Sequence, residues 1–261
     1  MKNQFTLTNI ISRPGRFGSA VAGLLLTVLA ASSSSGQVLP PSSLPYGLSY
    51  EEWSAKWCQW NFGQDTNDLE LVGWSGICEG PGSSVRFLLG APGPITVTRH
   101  ITIDEKTPLF FPILSATADN TACPVSDFTS NTPAQLAAEA AGNWSAVTVT
   151  SCSIDGVAVA GLDNPASTEY LVQSGPFSYT TAEHGNALGL LESEYCIPGG
   201  MTIYPAVSDG VYLMLAPLSR GKHTIHNVAV VGPVSAPYFT QDITYDITVL
   251  REDREDHHHG H

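Results

Sequence analysis

Apolar and polar positions alternate through most of the chain beyond residue 84. Ile95, Val97, Arg99, Ile101 and Ile103 form one row, and Thr96, Thr98, His100 and Thr102 form the other. A period of two is the signature of a strand with one face buried. Residues 242–250 repeat it, with Ile243, Tyr245, Ile247 and Val249 facing in and Asp242, Thr244, Asp246 and Thr248 facing out. Shorter apolar runs at Val85–Leu89 and Leu109–Leu114 read as buried strands. Pro112 in the second run lacks a backbone donor, so that strand lies at an edge or carries a bulge. Ala146–Ile154 and Val157–Leu162 flank Asp155-Gly156, the composition of a two-residue hairpin turn. Glu169–Gln173 and Phe177–Thr181 read as another short pair, with a long connection over 182–208 after it. Val211–Ala216 and Lys222–Val230 read as a hairpin closed by Pro217–Gly221.

Only two segments have helical character. Ser49 and Glu52 make a capping box, Trp53, Trp57 and Trp60 fall on one stripe, and Gly63 is a stop. Three indoles in a stripe suit either docking on a sheet or stacking on sugar rings, and docking is the preferred reading. Thr132, Pro133, Gln135 and Gly142 delimit a second helix in the same way. Many short strands with two short helices predict an all-β fold, an antiparallel β-sandwich of jelly-roll-like arrangement, with an immunoglobulin-like Greek key as the second choice.

The start of the chain follows different rules. Lys2, Arg13 and Arg16 precede the apolar run Ser19–Ala31, and small residues continue to Gly36. Residues 1–36 therefore read as a secretory signal peptide, too short in its apolar part to span a membrane at the roughly 20 residues required. Residues 37–47 form a Pro/Ser-rich lead-in, 48–250 a single β-sandwich domain, and 251–261 a disordered charged and His-rich tail. The expected location is secreted or periplasmic, with no membrane span.

Charge then narrows the partners. The formal net charge is −13, and residues 1–36 hold three basic and no acidic side chains, so their removal leaves −16. Such a chain repels phosphate backbones, which argues against nucleic acid. In an oxidising compartment the five cysteines imply disulfides, and Cys123 with Cys152 is the preferred pair.

Candidate chemistry rests on few residues. His100, His184, His223 and His226 are the possible ligands of a zinc or copper ion. The spacing of His223 and His226 would place them together on a helix, but on a strand it sends them to opposite faces. Arg99 interrupts an apolar row, so it is a structural tie or an anion-binding group. Trp74, in a Gly-rich stretch, is a candidate ligand contact alongside it. Ser75 lacks the glycine spacing of a nucleophile elbow, and no serine sits in a recognisable triad context.

Several stretches taken together resemble a family of exported microbial β-rich proteins of unknown function. They are the Glu52-Trp53 helix with Trp57 and Trp60, Val85–Gly90, Leu109–Ile113, the Val-rich strand with Asp155-Gly156, Asp209–Tyr212, and Pro217–His226. The chain departs from that pattern at Cys58, where Trp is expected, and at His100, where a Cys partner for Cys78 is expected. The resemblance brings no catalytic residues. The expected function is a non-catalytic binding module for an extracellular polysaccharide or cell-surface component. The alternative is a secreted metal-dependent hydrolase or oxidoreductase using zinc or copper.

Overall fold

A computed structural model describes residues 36–65, 74–79, 81, 83–90, 94–122, 125–185 and 197–251, apart from the side chain of Asn143. Residues 1–35 of the expected signal peptide 1–36, Cys123 and the tail beyond Arg251 lie outside those residues. In chain order the strands are β1 (Val38–Leu39), β2 (Ser75–Glu79), β3 (Ser84–Leu88), β4 (Ile95–Asp104), β5 (Leu109–Asp119), β6 (Val147–Ile154), β7 (Val157–Ala158), β8 (Leu171–Gln173), β9 (Phe177–Thr180), β10 (Thr202–Leu215), β11 (Gly221–Val231) and β12 (Phe239–Leu250). The α-helices are α1 (Tyr50–Phe62) and α2 (Pro133–Gly142). The fold is all-β with two short α-helices among the described residues.

Two sheets form the body. One has seven strands in the order β1-β10-β5-β3-β2, with β8 and β9 also paired to β10. The other has five, in the order β4-β12-β11-β6-β7. Pairing is antiparallel except for β3 with β5 and β4 with β12, which run parallel. The inner faces meet in one apolar core that includes Phe111, Ile113, Leu213, Ile225, Ile243 and Tyr245.

The Trp stripe docks α1 on the seven-stranded sheet. Trp53 packs against Phe87 and Phe110, and Trp57 against Tyr212. Both indole N–H groups donate to carbonyls, Trp53 to Pro45 and Trp57 to Leu88, each at 2.9 Å. Those bonds remove the polar penalty of burying rings that hide roughly 150–250 Å² each. The capping box at Ser49 and Glu52 is present, and Thr132 with Gln135 starts α2 in the same manner. Pro112 does sit at a bulge: Tyr212 pairs with Pro112 and Val211 with Leu114, leaving Ile113 unpaired between them.

Three expectations about strands are corrected. Val211–Ala216 and Lys222–Val230 do not form a paired hairpin, because β10 belongs to the seven-stranded sheet and β11 to the five-stranded one. The turn between them carries the chain across the sandwich. It does so because β10 already has β5 on one edge and β1, β8 and β9 along the other, leaving no free ladder for β11. For the same reason β8 and β9 pair with β10 and not with each other. The connection expected over 182–208 ends early, because β10 begins at Thr202.

Candidate functional site

The crossover turn holds the most concentrated polar chemistry. His223 opens β11 on the inward row and is only 8% exposed. Its Nδ1 lies 2.7 Å from Asp155 Oδ2, and its Nε2 lies 2.8 Å from the Ser219 carbonyl and 3.3 Å from Ser219 Oγ. Asp155 is fixed in turn, since its Oδ1 accepts from the Thr224 N–H at 2.9 Å. It occupies the β6–β7 turn with φ 51, followed by Gly156 at φ 78, the two left-handed positions of a type I′ turn.

Ser219, His223 and Asp155 thus have the outline of a catalytic triad, and sequence spacing gave no sign of it. The hydrogen-bond chemistry contradicts that role. A general base needs a bare lone pair on Nε2 directed at the hydroxyl. Here the nearer oxygen is a carbonyl, which can only accept, so its bond to Nε2 forms when that nitrogen carries the hydrogen, and the lone pair is then not offered to the Ser219 hydroxyl. The ring is a clasp that closes the crossover turn and binds it to the β6–β7 turn. A second tie, Arg220 to both oxygens of Glu105 at 2.6 and 3.0 Å, fastens the same turn to the β4–β5 connection.

Trp74 and Arg99 come together on the inner side. The guanidinium carbon lies 4.7 Å from the Trp74 ring centroid and 5.9 Å from that of Tyr245. Arg99 donates to the Leu89 carbonyl and, at 2.9 Å, to the Gly90 carbonyl. It is 5% exposed, and burial draws its pKa below the ordinary range, opposed by Tyr245. These carbonyl and ring contacts make Arg99 a tie between β4 and the segment after β3.

The outer faces of the two sheets differ. Helices α1 and α2 pack on strands of the seven-stranded sheet. The outer face of the five-stranded sheet instead presents cross-strand rows of short polar side chains. The ladder register aligns Thr98, Thr244, His226 and Ser153 in one row and His100, Asp246 and Thr224 in the next. Thr96, Asp242, Val228 and Ser151 align on one side of these, and Thr102, Thr248 and Lys222 on the other. Four strands at about 4.8 Å spacing make this patch roughly 14 Å wide. Within it His226 Nε2 sits 2.8 Å from Asp242 Oδ1, and His100 Nδ1 sits 3.4 Å from Asp246 Oδ2.

The four histidines are therefore distributed. His223 faces inward at the crossover, His226 (43% exposed) and His100 (78% exposed) lie on the outer face with separate carboxylates, and His184 is exposed in the loop after β9. Among the described residues, no group of three His, Cys, Asp or Glu side chains stands close enough to hold a metal ion.

The expected Cys123–Cys152 disulfide is also corrected. Cys152 has a free thiol, buried in the core at the inward row of β6, with its pKa pushed up to about 12 by desolvation. Cys58 and Cys78 are free as well. Cys58 lies on the buried face of α1, 3.6 Å from Thr117 Oγ1.

Comparison with known proteins adds little to this geometry. No family model matches the chain, and no curated protein matches it. The solution structure of amebosin aligns with 59% of this chain and 96% of its own, at 9% identity and a TM-score of 0.17. A likeness of that size carries no argument about fold or function.

Proposed function

We propose that this chain is an exported, non-catalytic binding module that holds an extracellular glycan on the outer face of its five-stranded sheet. The observation that carries the reading is the difference between the two outer faces. One is covered by helices and aromatic rings, while the other displays rows of hydroxyl, carboxylate and imidazole groups.

The chemistry of those rows suits a neutral, hydroxyl-rich ligand. Threonine is stiff at χ1, so ordering it against a ligand loses little rotamer freedom. Asp242 and Asp246 are each steered by an imidazole, which leaves oriented acceptors for sugar hydroxyls. The strongly negative chain disfavours polyanions such as nucleic acids. Ser219 and His223 take no part in this reading, because their bonds are spent within the crossover turn.

The test is retention of purified protein on insoluble cellulose, chitin, xylan and peptidoglycan. The wild type is expected to be retained on at least one of them, and a Thr98→Lys/Thr244→Lys double variant to pass through. Retention of both proteins to the same extent, or of neither on any of the four, overturns the proposal.

A further inference from the structure

The face described above has an aromatic at one end. Tyr238 immediately precedes β12 and is 77% exposed. It stands two residues before Thr240, the first of the row Thr240, Asp242, Thr244, Asp246 and Thr248 on β12. Exposure alone would make it unremarkable, since single surface aromatics are common. Its support is what distinguishes it.

The Tyr238 backbone N–H donates to the Val231 carbonyl at 2.9 Å, and the ring lies over Gly232. A Cβ at Gly232 would stand 2.6 Å from Tyr238 Cδ2, 2.9 Å from Cε2 and 3.0 Å from Cγ. Gly232 is also held at φ +91, a region that other residues enter at a cost. It is pinned on both sides: its N–H donates to the Ala146 carbonyl at 2.7 Å, and its carbonyl accepts from Thr148 Oγ1 at 2.8 Å. One ring face is thus seated on a fixed backbone, and the rest is open.

We infer that Tyr238 is a stacking platform for a pyranose ring, and that the ligand is a polysaccharide chain laid along β12. The inference rests on the glycan-binding reading above. A pyranose has an apolar C–H face and a rim of hydroxyls. The seated tyrosine matches the first, and the His226–Asp242 pair further along the row matches the second. At about 3.4 Å per residue, Asp242 lies roughly 14 Å and Asp246 roughly 27 Å along the strand from Tyr238. A contact row of that length fits several linked sugars better than one.

The experiment is calorimetric titration with cellohexaose, chitohexaose and xylohexaose. The wild type is expected to bind at least one, Tyr238→Ala to bind it about tenfold more weakly, and Tyr238→Phe to bind it like the wild type. Gly232→Ala, which pushes the ring from its seat, is expected to weaken binding in the same direction. Thermal unfolding of Tyr238→Ala at the wild-type temperature confirms that the loss is not a folding defect. If Tyr238→Ala binds like the wild type while Thr98→Lys/Thr244→Lys does not bind, the platform is overturned and the binding face stands. If the wild type binds no hexaose and is retained on no polysaccharide, both fall.

Discussion

Replacing His223 by alanine tests whether the crossover turn is a clasp. The substitution removes a bond to a carboxylate and a bond to the Ser219 carbonyl, both at a site only 8% exposed. A bond to a charged group is worth about 1.5–3 kcal/mol and a neutral one about 0.5–1.5 kcal/mol, so the loss is about 2–4 kcal/mol. In a domain of this size each kcal/mol moves Tm by about 2–4 °C, which places the expected fall at about 5–15 °C. Ser219→Ala removes only the hydroxyl at 3.3 Å and leaves the carbonyl in place, so it is expected to stay within about 0.5 kcal/mol of the wild type. Urea and thermal unfolding followed by circular dichroism read both variants. If His223→Ala proves as stable as the wild type, the clasp is refuted. If Ser219→Ala is the variant that abolishes an ester-hydrolysing activity of the wild type, the triad dismissed above is reinstated.

Two further outcomes follow from buried ionisable groups. Asp209 is 5% exposed, and burial raises its pKa, while the Gln173 amide and more weakly the Trp144 indole pull it down; its Oδ1 has no partner at bonding geometry. A carboxyl with a raised folded pKa contributes stability below its unfolded pKa and loses it as pH rises through the folded value. Asp209→Asn is therefore expected to raise Tm at pH 7 and to leave it unchanged at pH 3, and denaturation scans across that range would expose an opposite slope. Burial raises the pKa of the Cys58, Cys78 and Cys152 thiols, but Cys58 and Cys152 are buried whereas Cys78 is partly exposed. In native protein at pH 8, iodoacetamide is expected to label Cys78 well before Cys58 and Cys152, as peptide mass mapping would read; early labelling of Cys152 contradicts its placement in the core.

Much of the fold was legible because alternation reports which side chains are buried. The rows of β4 and β12, both helix caps and the bulge at Pro112 could all be read from local spacing. Alternation does not report which strand pairs with which. A short Pro-containing turn such as 217–221 serves a hairpin or a passage between sheets equally well, and the choice depends on β10 having both edges occupied. The partners of His223 were hidden for the same reason. Asp155 reads locally as a turn residue, and only the pairing of β11 with β6 brings it to the imidazole. Cys152 likewise looked like a disulfide half from compartment and count, although its inward parity on β6 places the thiol among core side chains.

The place of β12 has a consequence for how the protein comes into being. Within the five-stranded sheet, β4 is paired only to β12, and β12 is also the partner of β11. The parallel ladder from Ile95–Gln241 to Asp104–Leu250 thus joins residues 146 positions apart in sequence and forms only once β12 has been made. Contacts this distant in sequence make for slow folding. Until β12 is in place, neither edge of β4 has a partner in this sheet.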